Sequence, residues 1–266
     1  MASNNRSSKI INFIKKHKKK IIALVILLTL IIIIIIYFSL KKDKNVMKNV
    51  LEIDELTSNN PQAVPNCEIS RPKNGSNFSC SFWIKINKFY ENHRYWRHIF
   101  HKGTEIHKEN VMEYDTWENI STNIPEQYPG LWMNPINNNL RICFTTEITN
   151  DYEPKTHPNP SARPIGYDNN PDNVLDVQIE YFDIKDIQIN KYVNICWILD
   201  NQTLDVYIDL KLTYTFTLSG RVLVNNGSFY FNYPRTINAD IKNFRLIPKK
   251  ITKKDMKIFF ENNPTF

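Results

Sequence analysis

The chain has 266 residues, with 34 lysines and arginines against 27 aspartates and glutamates and a formal net charge of +7. Residues 1–48 carry 11 basic and one acidic side chain, whereas residues 49–266 carry 23 basic and 26 acidic. A nucleic-acid-binding protein needs positive charge spread over a folded face, so this distribution excludes nucleic acid as a predicted partner. The hydrophobic fraction of 42% excludes collagen-like and fully disordered classes.

The stretch Ile21–Leu40 is apolar throughout and contains no charged side chain. Its 20 residues are enough to cross a bilayer core of about 30 Å as a helix. A cleaved signal peptide would have a shorter apolar core and a small-x-small cleavage site, and no such site follows Leu40. We therefore predict an uncleaved transmembrane helix over residues 21–40, with the lipid bilayer as a partner.

The charges flanking this stretch predict its orientation. Seven basic residues lie within residues 1–20 and four within residues 41–48. The excess of basic residues normally stays in the cytosol. This indicates a basic cytosolic tail over 1–20 and places residues 41–266 on the opposite side of the membrane. Residues 41–66 are polar and poorly patterned, and we interpret them as a stalk.

Hydrophobic and polar residues alternate from Asn77 onward, which is typical of half-buried strands. In the first strand Phe78, Cys80, Phe82, Ile84 and Ile86 share one face. Further strands are predicted over Arg94–Lys102, Leu131–Met133, Leu140–Thr146, Val174–Phe182, Tyr192–Leu199, Thr203–Leu210, Leu212–Leu218, Ser228–Asn232 and Ile241–Ile247. Tyr192–Leu199 is almost continuously apolar, which predicts cover on both faces.

The segment Thr252–Glu261 predicts a helix after the last strand. Thr252 can cap its first turn and Asp255 stands three residues later, the spacing of a capping box. About nine or ten strands with one short terminal helix predict a mainly β fold, a β-sandwich over residues 67–266. Two stretches without a strand pattern, Thr104–Pro129 and Glu147–Asn173, predict long loops.

The order of these segments is similar to that of a known family. The segments concerned are Ser81–Ile86, Arg97–Gly103, Pro129–Ile142, Gln178–Ile184, Ile189–Asp209, Ser219–Phe231 and Ala239–Pro264. Together they resemble the laminin-G-type concanavalin A-like lectin/glucanase domain, in the version found in membrane-anchored proteins of giant DNA viruses. The match spans roughly Ser76–Pro264.

This resemblance implies an antiparallel jelly roll of two sheets that binds glycans or proteins or serves as a structural module. It also implies a virion membrane as the location, with a glycan, a capsid protein or another membrane protein as partner. Such domains often turn with Asn-Gly in the second hairpin. Asp209-Leu210-Lys211 stands there instead, so we expect a different turn.

Two function hypotheses from different classes follow. The favoured one is a single-pass, membrane-anchored, non-enzymatic lectin-like or structural module, and the rival is a membrane-tethered glycan hydrolase. Glycan hydrolysis needs a pair of carboxyl groups, which the glucanases of this family carry as Glu-x-Asp-x-Glu on one strand. Glu52-Ile53-Asp54-Glu55 begins that pattern, but Leu56 and Thr57 follow, so no catalytic residue is predicted.

Aromatic side chains that could stack on sugar rings lie in or near the long loops. The candidate ligand-binding residues are Trp96, Trp117, Trp132, Tyr152 and Tyr167. Trp83 and Trp197 are expected to fill the core instead. Calcium is the only candidate cofactor, because Asp168, Asn170 and Asp172 supply hard oxygen ligands in one loop. The same residue types are also common in ordinary turns.

His98 and His101 lie three residues apart on a predicted strand. Successive side chains of a strand alternate between faces, so these two are expected on opposite sides. Without a bulge they could not bind one metal ion.

The four cysteines leave two interpretations open, namely the disulfides Cys67–Cys80 and Cys143–Cys196 or four buried free thiols. Candidate N-glycosylation acceptors are Asn74, Asn77, Asn119, Asn201 and Asn226.

Overall fold

The computed structural model describes residues 17, 19, 22, 26–34, 51–57, 62–64, 77–105, 116–117, 120, 124, 126–147, 163–166, 174–225, 227–233 and 237–261. The chain divides into two compact units, 1–48 and 49–266. In the first unit, residues 26–34 are helical and their apolar side chains are exposed. No described helix combines the length and the apolar character that a membrane span requires. Most of the predicted span over 21–40 lies outside the described residues.

The second unit is mainly β. Its described strands are β1 (Leu51–Leu56), β2 (Gln62–Val64), β3 (Phe78–Lys88), β4 (Arg97–Gly103), β5 (Gln127–Met133), β6 (Leu140–Glu147), β7 (Arg163–Gly166), β8 (Val174–Ile184), β9 (Val193–Asp200), β10 (Thr203–Ile208), β11 (Lys211–Thr217), β12 (Ser228–Phe231) and β13 (Asn238–Ile247). A helix, Lys253–Glu261, follows β13.

Two antiparallel sheets form a sandwich. The six-stranded sheet has the order β1-β13-β3-β9-β10-β11 and the seven-stranded sheet β2-β12-β4-β5-β6-β8-β7. Their inner faces share one apolar core, in which Phe82 of β3 meets Phe100 of β4 edge to face with ring centroids 5.3 Å apart. The predicted mainly β sandwich is confirmed.

The alternation predicted for β3 is confirmed, because Phe78, Cys80, Phe82, Ile84 and Ile86 all lie in the core. Strand β9 is buried on both faces, as its continuous apolar pattern predicted. Its inner face joins the core, and its outer face packs under the terminal helix.

The predicted capping box is also confirmed. The Asp255 N–H donates to Thr252 Oγ1 at 3.2 Å, and the Thr252 N–H donates to Asp255 Oδ2 at 2.9 Å. Met256 and Phe259 then point to the outer face of the six-stranded sheet and are buried there. The cap therefore fixes where the helix begins and which face it covers.

The predicted stalk over 41–66 is wrong for two segments that belong to the sheets. β1 pairs with β13 and β2 pairs with β12. β1 lies at the edge of its sheet, so one side of its backbone has no partner strand. Most of its side chains are exposed or half-buried, and its sequence is therefore only partly apolar. Its Glu52 binds Arg245 at 2.6 Å, which explains why the segment reads as a polar linker.

The turn between β10 and β11 also differs from expectation. Asp209 and Leu210 both have positive φ, 47° and 66°, and Ile208 pairs directly with Lys211. Positive φ at both central residues is the property of the two-residue turn that Asn-Gly forms most easily. The expected different turn is therefore wrong, since Asp-Leu adopts this backbone here.

A buried carboxylate holds the segment after β11 to the inner side of the seven-stranded sheet. Glu180 of β8 accepts hydrogen bonds from the Thr146 hydroxyl, the Ser219 N–H and the Gly220 N–H at 2.8–2.9 Å. It is 3% exposed. These three donors replace the water that the carboxylate loses on burial.

Candidate functional site

The outer face of the six-stranded sheet carries a cavity of about 670 Å³ beside the terminal helix. It is lined by Trp83, Lys85, Asn190, Lys191, Tyr192, Asp209, Lys242 and Phe260. These residues come from β3, β13, the segment before β9, the β10–β11 turn and the helix. Five separate parts of the chain thus converge on one concave surface.

The alternation of β3 places two of the lining residues. Phe82, Ile84 and Ile86 point into the core, so Trp83 and Lys85 point outward. Lys242 of β13 lies directly opposite Trp83 in the register. The floor of the cavity is therefore built on two paired strands, which hold their side chains more rigidly than a loop would.

The helix supplies one aromatic wall. Phe260 follows the buried Phe259 and packs against Trp83, with ring centroids 5.0 Å apart. Trp83 is only 4% exposed as a result. The expectation that Trp197 fills the core is confirmed, but Trp83 lies outside it and forms the base of this cavity.

The turns at the rim are fixed by backbone hydrogen bonds. Asn190, with φ 60°, donates its N–H to Ile86 O at 2.9 Å. Asp209 donates its N–H to Asn194 O, and its carboxylate accepts the Asn194 N–H at 2.9 Å. The rim is therefore tied to the sheet, and Asp209 keeps a second carboxylate oxygen for other contacts.

Charged side chains of both signs surround the cavity. The Nζ atoms of Lys85 and Lys242 lie 5.7 and 5.2 Å from the centroid of the Tyr192 ring, within cation–π range. Lys242 also approaches Glu55 at 3.8 Å. Burial raises the pKa of the Tyr192 phenol, while the Lys242 ammonium group opposes that rise. Asp240 of β13 lies directly opposite Lys85 in the register, and the carboxylates of Asp240 and Glu55 both act on the Tyr192 phenol.

The arrangement has the composition of a site for a ligand with both apolar and polar faces. Tyr192 and Phe260 are half-buried and so keep accessible ring surface. Ammonium groups, an amide and a carboxylate surround them. Sugars bind to such mixed surfaces because their C–H faces stack on aromatic rings while their hydroxyls accept and donate hydrogen bonds.

Three of the predicted ligand-binding residues meet elsewhere. Trp96, Trp117 and Trp132 form one cluster on the outer face of the seven-stranded sheet and are 7%, 9% and 1% exposed. Tyr152 and Tyr167 lie outside the described residues. The three tryptophans pack against each other and leave little ring surface for a ligand.

Arg141 is the centre of this tryptophan cluster. Its guanidinium lies 4.4 and 4.8 Å from the Trp96 and Trp117 ring centroids and 3.8 Å from that of Tyr181. Asp183 accepts two hydrogen bonds from it, at 2.7 and 2.8 Å. A planar cation held on aromatic rings and by a bidentate carboxylate is a stable packing unit. A ligand-binding role for Trp96, Trp117 and Trp132 stays a prediction.

The predicted Cys143–Cys196 disulfide is wrong. Both residues are free buried thiols, as is Cys80, whereas Cys67 lies outside the described residues. Cys143 belongs to the outer face of one sheet and Cys196 to that of the other, so the whole sandwich separates them. Burial raises the pKa of the Cys80 and Cys143 thiols and raises that of Cys196 to about 12.

His98 and His101 lie on the same side of β4, contrary to expectation. The pairing of β4 with β5 shifts register between His98 and Phe100, and such a bulge lets an extra residue change its face. The two rings are hydrogen-bonded, His98 Nε2 to His101 Nδ1 at 2.8 Å.

Among the residues that the structure describes, no three His, Cys, Asp or Glu side chains are grouped so as to hold an ion. The candidate calcium ligands Asp168, Asn170 and Asp172 lie outside the described residues.

Of the candidate glycosylation acceptors, Asn74, Asn119 and Asn226 lie outside the described residues. Asn201 is exposed, and its backbone N–H donates to the side chain of Asn77 at 2.8 Å. Glycosylation of either residue stays a prediction.

A second cavity, of about 620 Å³, lies at the start of the terminal helix and is lined by two carboxylates, Asp200 and Asp205. Asp200 is paired with Lys250 at 2.5 Å, and Asp205 accepts the Thr215 hydroxyl at 2.7 Å. Both carboxylates therefore already accept hydrogen bonds from neighbouring donors.

No pattern in the sequence pointed to the lysines and Phe260 of the first cavity. One signal was available, because Trp83 stands on the polar face of β3 among Ser79, Ser81 and Lys85. A large aromatic residue on that face indicates either an overlying element or a ligand surface.

No family model and no curated protein matches the chain. Among solved structures, the receptor-binding domain of botulinum neurotoxin mosaic serotype C/D is similar at 15% identity and a TM-score of 0.48, over 80% of this chain and 46% of that one. The receptor-binding domain of botulinum neurotoxin D is similar at 15% identity and a TM-score of 0.46, over 81% of this chain and 46% of that one. The chain thus spans less than half of these chains. Likenesses with TM-scores below 0.5 assign neither a family nor a ligand.

Proposed function

We propose that this chain is a non-enzymatic, lectin-like adhesion module of the concanavalin A-like type, which binds a glycan in the cavity beside the terminal helix. The observation that carries the proposal is the convergence of Tyr192, Phe260 and Trp83 with charged and amide groups around about 670 Å³. Sites for small polar ligands are concave and combine aromatic walls with a few fixed polar groups.

The module is tethered to a membrane by the apolar stretch over 21–40. In support, the described helical residues 26–34 expose their apolar side chains, with Ile33 60% exposed. A helix that is apolar on all sides needs lipid or protein around it. The proposed location is a virion membrane, in line with the resemblance described above, and the partner is a glycan or a protein on an opposing surface.

The non-enzymatic part of the proposal rests on how the carboxylates of the second cavity are used. A glycosidase needs one protonated carboxyl as general acid beside an ionised one. Asp200 forms an ion pair with Lys250, and Asp205 accepts a hydroxyl hydrogen bond. Both carboxylates are therefore engaged by donors of the chain itself rather than left for a glycosidic bond.

The test is binding of the full-length chain, purified in detergent, to an array of neutral and acidic glycans. The variant Tyr192→Ala removes an aromatic wall of the cavity, and Tyr90→Ala removes an aromatic side chain that is 80% exposed on another loop. We expect binding to at least one glycan class, weakened ten-fold or more by Tyr192→Ala and unchanged by Tyr90→Ala. An array without any binding, or equal loss in both variants, would refute the proposal. Release of shorter sugars from a bound oligosaccharide would show hydrolysis.

A further inference from the structure

We infer that Lys102 and Asn225 form a covalent cross-link, an isopeptide bond between the lysine amine and the asparagine carboxamide, with Glu126 as the group that carries the protons. The bond ties the end of β4 to the segment that precedes β12. The inference does not depend on which ligand the cavity beside the terminal helix binds. It is carried by the burial and the mutual contacts of these three side chains.

Lys102 is a fully buried lysine in contact with a buried carboxamide. It is 0% exposed, and Asn225 is 6% exposed. The Lys102 Nζ donates to Asn225 Oδ1 at 3.1 Å and to the Asn225 backbone O at 2.6 Å. Burial disfavours the charged form of an amine, and a desolvated lysine is a better nucleophile than an exposed one because its neutral form is more accessible. The amine and the group that it can attack therefore already meet inside the domain.

Hydrogen bonds hold the Asn225 carboxamide in one orientation. Its Nδ2 donates to Lys102 O at 3.2 Å, and its Oδ1 accepts the Gly227 N–H at 3.1 Å. Oδ1 is the atom on which negative charge develops when an amine attacks the carboxamide carbon, Cγ. A fixed backbone donor at such an oxygen lowers the barrier of the attack, and the Gly227 N–H already occupies that place.

Glu126 supplies the acid–base group. Burial raises the pKa of its carboxyl group, and the nearby Lys102 ammonium group opposes that rise. A carboxyl group with a raised pKa can both take up and return a proton near neutral pH. Glu126 is half-buried, so the side of the site that it occupies borders solvent, into which ammonia can leave.

Two glycines allow these segments to approach each other closely. Gly103 has φ 147°, and a β-carbon there would collide with Glu126 O and lie 3.1 Å from Asn225 Nδ2. A β-carbon on Gly227 would collide with the backbone of Gly103. The lack of side chains at these positions therefore lets Glu126 and Asn225 reach the end of β4, where Lys102 lies.

The reaction balances without an oxidant, a reductant or a further reactant. Glu126 takes one proton from the Lys102 ammonium group, and the free electron pair of Nζ forms a bond to Asn225 Cγ. Glu126 passes its proton to Nδ2 and takes the second proton from Nζ. The Cγ–Nδ2 bond then breaks, and ammonia leaves and takes the proton from Glu126 as ammonium. The product is a secondary amide that joins two residues 123 positions apart in the sequence.

The experiment is mass spectrometry of the full-length chain, purified in detergent and then denatured. We expect an intact mass that is lower than the sequence mass by one ammonia. After trypsin digestion we expect one branched peptide that contains Lys102 and Asn225, and no cleavage after Lys102. Ring closure at Asn226-Gly227 would also release one ammonia, but it leaves Lys102 open to trypsin, so the digest distinguishes the two reactions.

Two variants test the roles of the side chains. Lys102→Met removes the amine and should keep the full mass, but a buried substitution of this kind can also disturb folding. Glu126→Gln changes a half-buried residue and leaves the amine and the carboxamide in place. It should form the bond more slowly by about 100-fold or more, the usual contribution of a general acid–base group. Glu147→Gln is the control, since Glu147 pairs with Arg221, and it should form the bond as the unchanged chain does.

Circular dichroism of each variant shows whether it keeps the β structure of the unchanged chain, and rates are compared only between folded proteins. An unchanged chain with the full sequence mass and normal cleavage after Lys102 would overturn the cross-link. A loss of ammonia without the branched peptide would overturn it as well. A folded Glu126→Gln variant that forms the bond as fast as Glu147→Gln would overturn the role of Glu126. None of these results bears on glycan binding, which the array measures separately.

Discussion

Acidification below about pH 6.5 should destabilise the sandwich because His98 and His101 are buried as neutral imidazoles. The Tyr233 N–H donates to His98 Nδ1 at 3.3 Å, so the proton of His98 is on Nε2 and is donated to His101 Nδ1 at 2.8 Å. His101 then donates from Nε2 to Thr104 O at 2.7 Å. A further proton on His98 Nδ1 would face the Tyr233 N–H, and one on His101 Nδ1 would face the His98 Nε2–H, so two donors would then oppose each other.

The magnitude follows from the pKa shifts. Burial lowers the pKa of His101 to about 4, and burial together with the His101 neighbour lowers that of His98. An imidazole in the unfolded chain titrates near 6.5, so between those pH values the unfolded state binds the proton first. For each imidazole, the free energy of unfolding therefore falls by about 1.4 kcal/mol for every pH unit of acidification. For His101 alone, the loss between pH 6.5 and 5.0 is about 2 kcal/mol. Above pH 6.5 the contribution is constant.

Urea unfolding of the full-length chain in detergent, followed by tryptophan fluorescence between pH 7.5 and 5.0, measures this loss. Trp132 reports on the site because its ring lies 4.7 Å from that of His98. The variant His98→Gln with His101→Gln should have a shallower pH dependence, and exposed His93→Gln should match the unchanged chain. An identical pH dependence in the double variant, or a gain in stability on acidification, would refute the argument.

Three further predictions follow from buried or strained groups. Glu180→Gln should lower the free energy of unfolding, measured by urea titration, by about 2 kcal/mol, because an amide NH₂ would face backbone donors. Glu147→Gln is the control, since Glu147 forms a partly exposed ion pair with Arg221, and it should cost less than about 1 kcal/mol. Leu210→Gly should be more stable than Leu210→Val, since positive φ penalises a β-branched side chain; the reverse order of unfolding midpoints would show that side-chain burial dominates. At pH 8, iodoacetamide should alkylate Cys143 and Cys196 far more slowly in the folded chain than in the unfolded chain, and a Cys143–Cys196 disulfide in mass spectra would contradict the structure.

The parts of the fold that the sequence predicts are those fixed by local patterns. β3 repeats its apolar face every second residue, β9 is apolar on both faces, and Thr252 with Asp255 forms a cap within one turn. Local patterns do not predict the edge strands β1 and β2. They take one partner each, so pairing with β13 and β12 decides their structure, and those partners lie far away in the chain.

The candidate site is harder to predict, because it depends on contacts between distant segments. Lys85, Lys191 and Phe260 are ordinary residues in their own segments and become neighbours only after the sheet and helix assemble. The histidine pair shows the same limit. The shift of register between His98 and Phe100 brings His98 and His101 to one face of β4, and reasoning from a period of two assumes that no such shift occurs.

The Asp209-Leu210 turn connects this local geometry to the proposed site. A leucine with φ 66° costs about 1–2 kcal/mol relative to an ordinary conformation. Two hydrogen bonds connect Asp209 with Asn194, and Leu210 packs against the apolar side chains between β9 and the terminal helix. These contacts offset that cost. Asn-Gly would form the turn more easily, but glycine would lose the packing of Leu210. The less favourable pair therefore keeps a carboxylate at the cavity rim and an apolar side chain on the neighbouring cluster at once.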